Sequence, residues 1–343
     1  MPVPAQNQQY ENFIIRYKQN TQGGFDYESD ETFQIVNDLF GILYIPMKEV
    51  PELELSSYSY SSIPRCYTYM DTGVLSASGV TRLHNHPYLK LQGKGTLVAV
   101  IDSGIDYLHP AFHNGVQSKI LSIWDQTLEG GADGRIPFGR EFSRQQIEQA
   151  LASENPWEIV PSSDTNGHGT RSAATAAGYR IEKENFCGAA PEAELVIVKL
   201  KQAKNYLRDF YLLPRDTDIF QEDDIMLAIS YVLCIAQEQQ MPLSICIGLG
   251  TSMGAHQGEG PLNEYINSIA AFTQNAVSVP AGNEGTARHH YLGEFGQNDT
   301  EDTVELRVGD RESNRGFMTE FWGDSPGSYY MTIQSPTGEK LSV

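Results

Sequence analysis

The sequence has few cysteines, few basic residues and no long apolar run. Its 343 residues include 4 cysteines, and 24 basic residues stand against 44 acidic ones, which gives a net charge of −20. A surface of this sign repels nucleic acid and anionic membranes, so we expect neither as a partner. No segment is apolar over the roughly 20 residues that span a bilayer. Residues 1–20 lack a basic stretch followed by an apolar one, so we expect no conventional secretory signal.

The cysteines and histidines form no clear metal or disulfide pattern. The four cysteines are far apart, at positions 66, 187, 234 and 246. Buried reduced thiols are the favoured interpretation, with a disulfide framework or a zinc site as alternatives. His84 and His86 are close together without an accompanying Cys, Asp or Glu, which favours an exposed linker over a metal site. We therefore predict no metal and no cofactor.

The N-terminal region, residues 1–75, is predicted to be a small α+β unit. Residues 12–17, 41–47 and 66–70 read as strands. Residues 29–39 read as a helix, because the apolar side chains within them recur on one side at helical spacing.

The next region, residues 76–292, alternates apolar runs with amphipathic segments. The predicted strands cover residues 97–101, 195–200, 243–249 and 276–281, and the predicted helices cover residues 172–178, 222–237 and 262–275. Continuous apolar strands that alternate with helices indicate an α/β fold with a mostly parallel sheet and helices on both faces. Residues 293–343 differ, since short strands at 304–308, 317–322 and 329–333 predict the start of a β-sandwich.

Three polar residues occupy motifs in this α/β region. Asp102 begins Asp-Ser-Gly at the end of the 97–101 strand, His168 lies in Gly-His-Gly-Thr, and Asn283 lies in Ala-Gly-Asn-Glu-Gly after the 276–281 strand. Alone, each could be a cap, turn or core residue. Together they indicate a functional site, because α/β proteins build their sites at the carboxyl ends of parallel strands.

The order Asp102, His168, Asn283 resembles that of the subtilase family of serine proteases, in which the nucleophilic serine comes last. The resemblance implies that His168 is the general base, that Asp102 orients its ring, and that Asn283 donates to the oxyanion. The stretch 248–250 resembles the substrate-binding strand, with glycine replacing its usual serine. We assign substrate binding to Gly248, Leu249 and Gly250, and also to Gly282, the glycine before Asn283.

The nucleophile is the missing part of the motif set. Ser252 lies in Gly-Thr-Ser-Met, but it precedes Asn283 and continues a strand instead of opening a helix, so we reject it. The serines after Asn283, at positions 313, 325, 328, 335 and 342, lie in turns or short strands. We expect the serine to lie beyond residue 343, and expect these 343 residues not to label with a fluorophosphonate. Loss of the serine is the alternative.

The chain resembles the clostridial germination proteases of the Csp type, through residues 123–127, 198–201, 283–285 and 289–291. This resemblance implies a propeptide in residues 1–75 that inhibits the site, a jelly-roll insertion from residue 293, and a protein or peptide substrate. It also implies cleavage of a spore cortex-lytic enzyme precursor, in the cytoplasm or spore of a bacterium. A catalytically inactive member acting in germination signalling is the alternative function.

Overall fold

A computed structural model gives the fold of the chain. It describes residues 3–17, 32–50, 53, 57–69, 80–84, 86, 88, 91–130, 135–184, 186–296, 300–308, 316–323 and 326–342. The strands are β1 (Tyr10–Arg16), β2 (Phe33–Ile35), β3 (Phe40–Pro46), β4 (Cys66–Tyr69), β5 (Leu97–Asp102), β6 (Ile120–Asp125), β7 (Arg140–Ser143), β8 (Glu194–Lys199), β9 (Phe220–Gln221), β10 (Leu243–Ile247), β11 (Leu249–Gly250), β12 (Asn275–Ser278), β13 (Thr332–Gln334) and β14 (Lys340–Ser342). The helices are α1 (Val80–His84), α2 (Arg144–Leu151), α3 (Pro156–Ile159), α4 (His168–Ala177), α5 (Asn205–Phe210), α6 (Glu222–Gln239) and α7 (Pro261–Ala270).

A six-stranded sheet in the order β12-β10-β5-β8-β6-β7 forms the centre of the protein. All neighbouring strands are parallel except β6 and β7, which are antiparallel. The predicted α/β fold with a mostly parallel sheet is therefore confirmed. Helix α6 packs in the apolar cluster on one side of β5, whereas α2 and α4 pack in the cluster on the other side. The middle strands β5 and β8 are apolar between their ends, as expected for strands that are covered on both faces.

Strand β5 shows how the alternation of side chains divides the core. Leu97, Ala99 and Ile101 belong to the cluster that contains α6, whereas Val98 and Val100 belong to the cluster that contains α4. Successive side chains of a strand point to opposite faces. The last residue of β5 thus reaches the carboxyl edge of the sheet between two covered faces.

The N-terminal strands form a separate sheet in the order β1-β3-β2, which shares an apolar cluster with α6 and α7. The predicted helix over residues 29–39 is wrong in its described part, because β2 pairs antiparallel with β3. The side-chain Oδ1 of Asn37 then accepts the N–H groups of Leu39 and Phe40, both at 2.8 Å, and turns the chain between these strands. Residues 29–31 lie outside the described residues.

Strand β4 leaves this N-terminal sheet and pairs with two strands of the α/β region. It is the middle strand of the sheet β11-β4-β9 and is antiparallel to both neighbours. Tyr69 pairs with Leu249 and Thr68 pairs with Gly250, while Tyr67 pairs with Phe220 on the other side. The predicted strand 66–70 is thus present over residues 66–69, with residue 70 outside the described residues, but it pairs with strands of the α/β region.

The C-terminal residues contain a single described hairpin, β13 with β14. The predicted strands 304–308 and 317–322 are not strands, and the predicted strand at 329–333 begins only at Thr332. An extended segment becomes a strand only when a neighbour supplies ladder hydrogen bonds. Among the described residues, β13 and β14 pair only with each other. The predicted β-sandwich therefore stays a prediction.

The thiol and histidine predictions are partly corrected. All four cysteines are free, but only Cys66 is buried and Cys234 is exposed, because it lies on a solvent-facing position of α6. His84 is buried and its Nε2 lies 2.7 Å from the carbonyl oxygen of Ala189, so it is not part of an exposed linker. Within the described ranges, no three His, Cys, Asp or Glu side chains are grouped as metal ligands would be, and no helix is long and apolar enough to cross a membrane.

Candidate active site

Asp102 and His168 meet at the carboxyl edge of the central sheet. Asp102 ends β5 and His168 begins α4, and the Nδ1 of His168 lies 2.7 Å and 2.9 Å from the two carboxylate oxygens of Asp102. The residues are 0% and 8% exposed. The carboxylate also accepts the N–H of Ser103 at 2.7 Å. This arrangement favours the imidazole tautomer with its proton on Nδ1 and fixes the plane of the ring.

The chain before α4 explains how His168 is presented. Gly167 has φ = 79° at the start of the helix, a conformation that glycine adopts without steric penalty. The Oδ1 of Asn166 accepts the N–H of His168 at 2.8 Å. This bond satisfies one of the N–H groups that a helix leaves unpaired at its first turn. The histidine is therefore held by its backbone as well as by its ring.

Asp164 ties the start of α4 to the end of β5. Its carboxylate accepts hydrogen bonds from the hydroxyl of Ser103 at 2.8 Å, the N–H of Gly167 at 3.1 Å, and both the N–H and hydroxyl of Thr170 at 2.8 Å and 2.7 Å. Burial alone would raise the pKa of this carboxyl, but these hydrogen bonds outweigh burial and lower the pKa. Ser103 in turn accepts the N–H of Gly169 at 2.9 Å.

Two glycines allow the elements of the site to approach each other. A Cβ on Gly169 would lie 3.0 Å from the N of Gly104 and 3.2 Å from the Cβ of Asp102, so α4 packs directly on the end of β5. A Cβ on Gly248 would overlap the carboxylate of Asp102 and lie 3.2 Å from the Cε1 of His168. A side chain at position 248 would therefore collide with the pair, and the glycine there avoids this collision.

The structure brings some of the predicted site residues into contact and places others on an exposed loop. Asp102, His168 and Gly248 are in contact, and Leu249 and Gly250 form β11 directly after them. Asn283 and Gly282 lie on an exposed loop after β12. Gly282 has φ = 92° in that loop.

Sequence reasoning did not assign roles to Asp164, Ser103 and Thr170. Asp164 precedes the histidine by four residues and Thr170 follows it by two. A carboxylate shortly before a helix start is a signal for a capping interaction, and it could have identified this cluster. The contribution of Ser103 depends on the packing of β5 against α4 and has no local signal.

Chemically, the described part of the site is a buried carboxylate paired with an imidazole at the edge of a cleft. Such a pair can take a proton from a hydroxyl or water and hold the resulting imidazolium next to a negative charge. The site combines this pair with an edge strand, β11, that forms main-chain hydrogen bonds with an extended segment. A parallel α/β sheet with these features defines the subtilisin-like class of serine proteases.

Comparison with known proteins agrees with this class. The sequence profile of the Subtilase family, Peptidase S8, matches residues 93–211. An intracellular serine protease of Paenibacillus polymyxa is 30% identical over 197 residues, which are 57% of this chain and 43% of that protein. Subtilisin-like protease SBT1.4 of Arabidopsis thaliana is 29% identical over 125 residues, which are 32% of this chain and 16% of that protein. Residues 93–211 thus resemble the peptidase S8 family, which is a family of serine-type endopeptidases.

A solved structure narrows the resemblance to the Csp type. The Clostridium perfringens CspB protease aligns with 61% of this chain and 40% of its own chain, at 29% identity and a TM-score of 0.51. The chain spans less than half the length of each of these relatives.

Proposed function

We propose that the protein is a serine endopeptidase of the subtilisin type, in which His168 acts as general base and Asp102 orients it. The observation that carries the proposal is the buried contact between the Nδ1 of His168 and the carboxylate of Asp102, at 2.7 Å and 2.9 Å. A serine hydroxyl needs such a base, because it is a weak nucleophile at neutral pH. The Nε2 of His168 would take the hydroxyl proton and return it to the leaving amine.

Asn283 is the proposed oxyanion donor, with Gly282 beside it. Its loop follows β12, which is parallel to β10 and ends at the same edge of the sheet as β5. A side-chain N–H at this edge can donate to the oxygen of a tetrahedral intermediate, and donors of this kind contribute roughly 10²–10³-fold in rate. The subtilisin asparagine is the known example of this magnitude. The nucleophilic serine of the proposal follows residue 343.

The N-terminal unit, residues 1–75, is the proposed intramolecular inhibitor. Its strand β4 lies between β9 and β11, and β11 begins beside Gly248, which contacts the catalytic pair. An extended peptide substrate would add to the same edge by the same main-chain hydrogen bonds. A chain that occupies both strand edges keeps a substrate out of the cleft. Residues 76–292 would then be the catalytic region and residues 293–343 the start of an inserted β domain.

The proposed substrate is a protein or peptide, and the Csp resemblance points to a spore cortex-lytic enzyme precursor. The test is fluorophosphonate labelling of a form of the protein that includes residues after 343 and from which the N-terminal unit has been released. We expect labelling that His168→Ala abolishes, and cleavage that Asp102→Asn slows by about 10⁴-fold. His113→Ala is the control, because the Nε2 of that histidine lies 2.9 Å from the carbonyl of Leu108 and its Nδ1 accepts the N–H of Gly115 at 3.1 Å, both outside the proposed catalytic pair.

If the released protein folds but neither labels nor cleaves, the endopeptidase proposal is wrong. The inactive signalling member of the same family would then be the better description. The chain of 343 residues provides an independent check of the catalytic pair. In its proton NMR spectrum, the Nδ1 proton of His168 should give a low-field resonance that Asp102→Asn removes. Absence of that resonance in the folded chain would contradict the assignment of the pair.

A further inference from the structure

The residue before β4 occupies a buried pocket that the proposed catalysis does not use. Arg65 is only 5% exposed, although arginine is almost always a surface residue. Its backbone is fixed on both sides by Glu222, whose N–H donates to the Arg65 carbonyl at 2.8 Å and whose Oε2 accepts the Arg65 N–H at 3.1 Å. The strand therefore delivers this side chain to a defined place in the α/β region.

Two glycines of the α/β region form the walls of this pocket. A Cβ on Gly254 would lie 2.8 Å from both the Cζ and Nη1 of Arg65, and a Cβ on Gly260 would lie 2.8 Å from Nη1 and 2.9 Å from Cζ. All four distances are shorter than real Cβ contacts. The planar guanidinium thus lies directly against two stretches of bare backbone. On the side of the N-terminal unit, the guanidinium is 5.6 Å from the ring centroid of Tyr60.

The charge of the guanidinium is balanced by a buried carboxylate. Glu222 is fully buried at the start of α6, and its Oε1 accepts the N–H of Leu262 at 3.2 Å. Burial is the largest influence and would lower the pKa of Arg65, but Glu222 together with the hydroxyl groups of Tyr67, Tyr60 and Tyr211 outweighs it and raises the pKa. The pocket therefore suits a flat cation, for which arginine is better matched than lysine.

The register relates the pocket to the catalytic pair. Tyr69 pairs with Leu249, which follows the glycine that contacts Asp102 and His168, and Arg65 is four residues before Tyr69. The following inference rests on the proposed function. We propose that the cleft between β9 and β11, which β4 occupies, contains an arginine-specific subsite formed by Gly254, Gly260 and Glu222. It selects an arginine four residues before the residue paired with Leu249, in the inhibitory strand and in a peptide substrate alike.

The test measures amide hydrogen exchange of β4 in the 343-residue chain. Arg65→Ala and Arg65→Lys should each raise the exchange rates of Cys66, Tyr67 and Thr68 by about tenfold or more, while β5 stays protected. Arg16→Ala is the matched control, because its exposed 2.9 Å ion pair with Glu264 also joins the N-terminal unit to the α/β region. Protected β4 amides that do not respond to either Arg65 variant would overturn the subsite. Unprotected β4 amides in the unaltered chain would instead contradict its placement in the cleft.

The walls of the pocket can be tested from the other side. Gly260→Ala should raise β4 exchange about as much as Arg65→Ala does, whereas Gly258→Ala should leave it unchanged. The two glycines have φ = 120° and 78°, so both substitutions introduce backbone strain, but a Cβ on Gly258 meets no atom within 4 Å. In the Arg65→Ala chain, Gly260→Ala should have no further effect. Additive effects of the two substitutions would show that the glycine does not act through the guanidinium, and would overturn the subsite.

A peptide of residues 65–69, Arg-Cys-Tyr-Thr-Tyr, tests the selectivity for a ligand in trans. Its binding to the Arg65→Ala chain, measured by fluorescence anisotropy, should be about tenfold tighter than that of the peptides with lysine or alanine in the first position. This arm also serves if Arg65→Ala loosens the N-terminal unit as a whole. Equal affinity of the three peptides would overturn the proposal, whereas the proposed catalytic pair would be unaffected.

Discussion

Lys204 joins the N-terminal unit to the α/β region, and its removal should open that junction. The side chain is 1% exposed, and its Nζ donates to the carbonyls of Pro4 at 2.8 Å and Tyr10 at 3.1 Å and to the Oδ1 of Asn12 at 2.6 Å. Three acceptors match the three N–H groups of an ammonium. Asn12 continues the network to Asp223, through a hydrogen bond of 2.5 Å from its Nδ2.

Lys204→Met keeps most of the volume and removes all three donors. Breaking a buried charged interaction on one side costs about 3–5 kcal/mol. At about 1.4 kcal/mol per tenfold, this raises the population with an open junction by roughly 100- to 3000-fold. Hydrogen exchange of β1, measured in the full chain below pH 7, where Lys204 is an ammonium, should accelerate by that factor while β5 stays protected. Lys48→Met is the control, because the Lys48 side chain is 81% exposed. Unchanged protection of β1 in Lys204→Met would refute the reasoning.

The pH dependence gives a second measurement on the same variant. Burial lowers the pKa of Lys204 from 10.5 to about 7. Between those values the released form binds a proton that the docked form lacks, so docking strengthens as pH rises from about 7 to 10.5. Below pH 7 this contribution is constant. The charged groups that also influence the pKa of Lys204 are Lys201, Asp223, Asp224 and Glu11. The difference in β1 protection between the unaltered chain and Lys204→Met should grow across the alkaline window.

Two further substitutions test the support of the catalytic pair. Asp164→Asn should lower the free energy of unfolding by roughly 2–3 kcal/mol, because the carboxylate accepts four hydrogen bonds. The fold lowers the pKa of Asp164 from 3.8, so the stabilisation that its carboxylate provides is present above pH 3.8 and is lost as pH falls below it. The acid limb of a thermal denaturation profile should therefore flatten in Asp164→Asn. An unchanged acid limb would contradict this. Gly169→Ala should lower the free energy of unfolding by about 1–3 kcal/mol, because the added methyl group pushes α4 away from β5. It should also remove the low-field resonance of His168. A stable chain that keeps the resonance would show that the close approach of α4 to β5 is not needed.

The α/β region could be predicted from its sequence because the signals there are local. The run from Leu97 to Ile101 is apolar on both faces, and the segment from Glu222 has an acidic first turn that suits a helix start. The contact of Asp102 with His168 was within reach of sequence reasoning, because both residues lie in motifs of a recognisable family. Their distance and burial required the structure.

Other parts could not be predicted because their conformation depends on distant partners. The segment that includes Phe33 has helical spacing, but β3 offers it a strand edge, and Asn37 turns the chain away from a helix. The pairing of β4 depends on the edges of two strands more than 150 residues away, β9 at Phe220 and β11 at Leu249. The neighbourhood of Arg65 likewise depends on glycines remote in sequence.

The pairing of β4 on both of its edges also restricts which proteins could enter the cleft. Four residues in a strand cover about 13 Å, whereas four residues in a helix cover about 6 Å. A helical segment therefore cannot reach from the backbone at Glu222 to that at Leu249, and a proline at a position that donates to either neighbour breaks the ladder. Under the proposed function, target proteins must offer a linker or a locally melted region, and the folded state of the target becomes a determinant of cleavage.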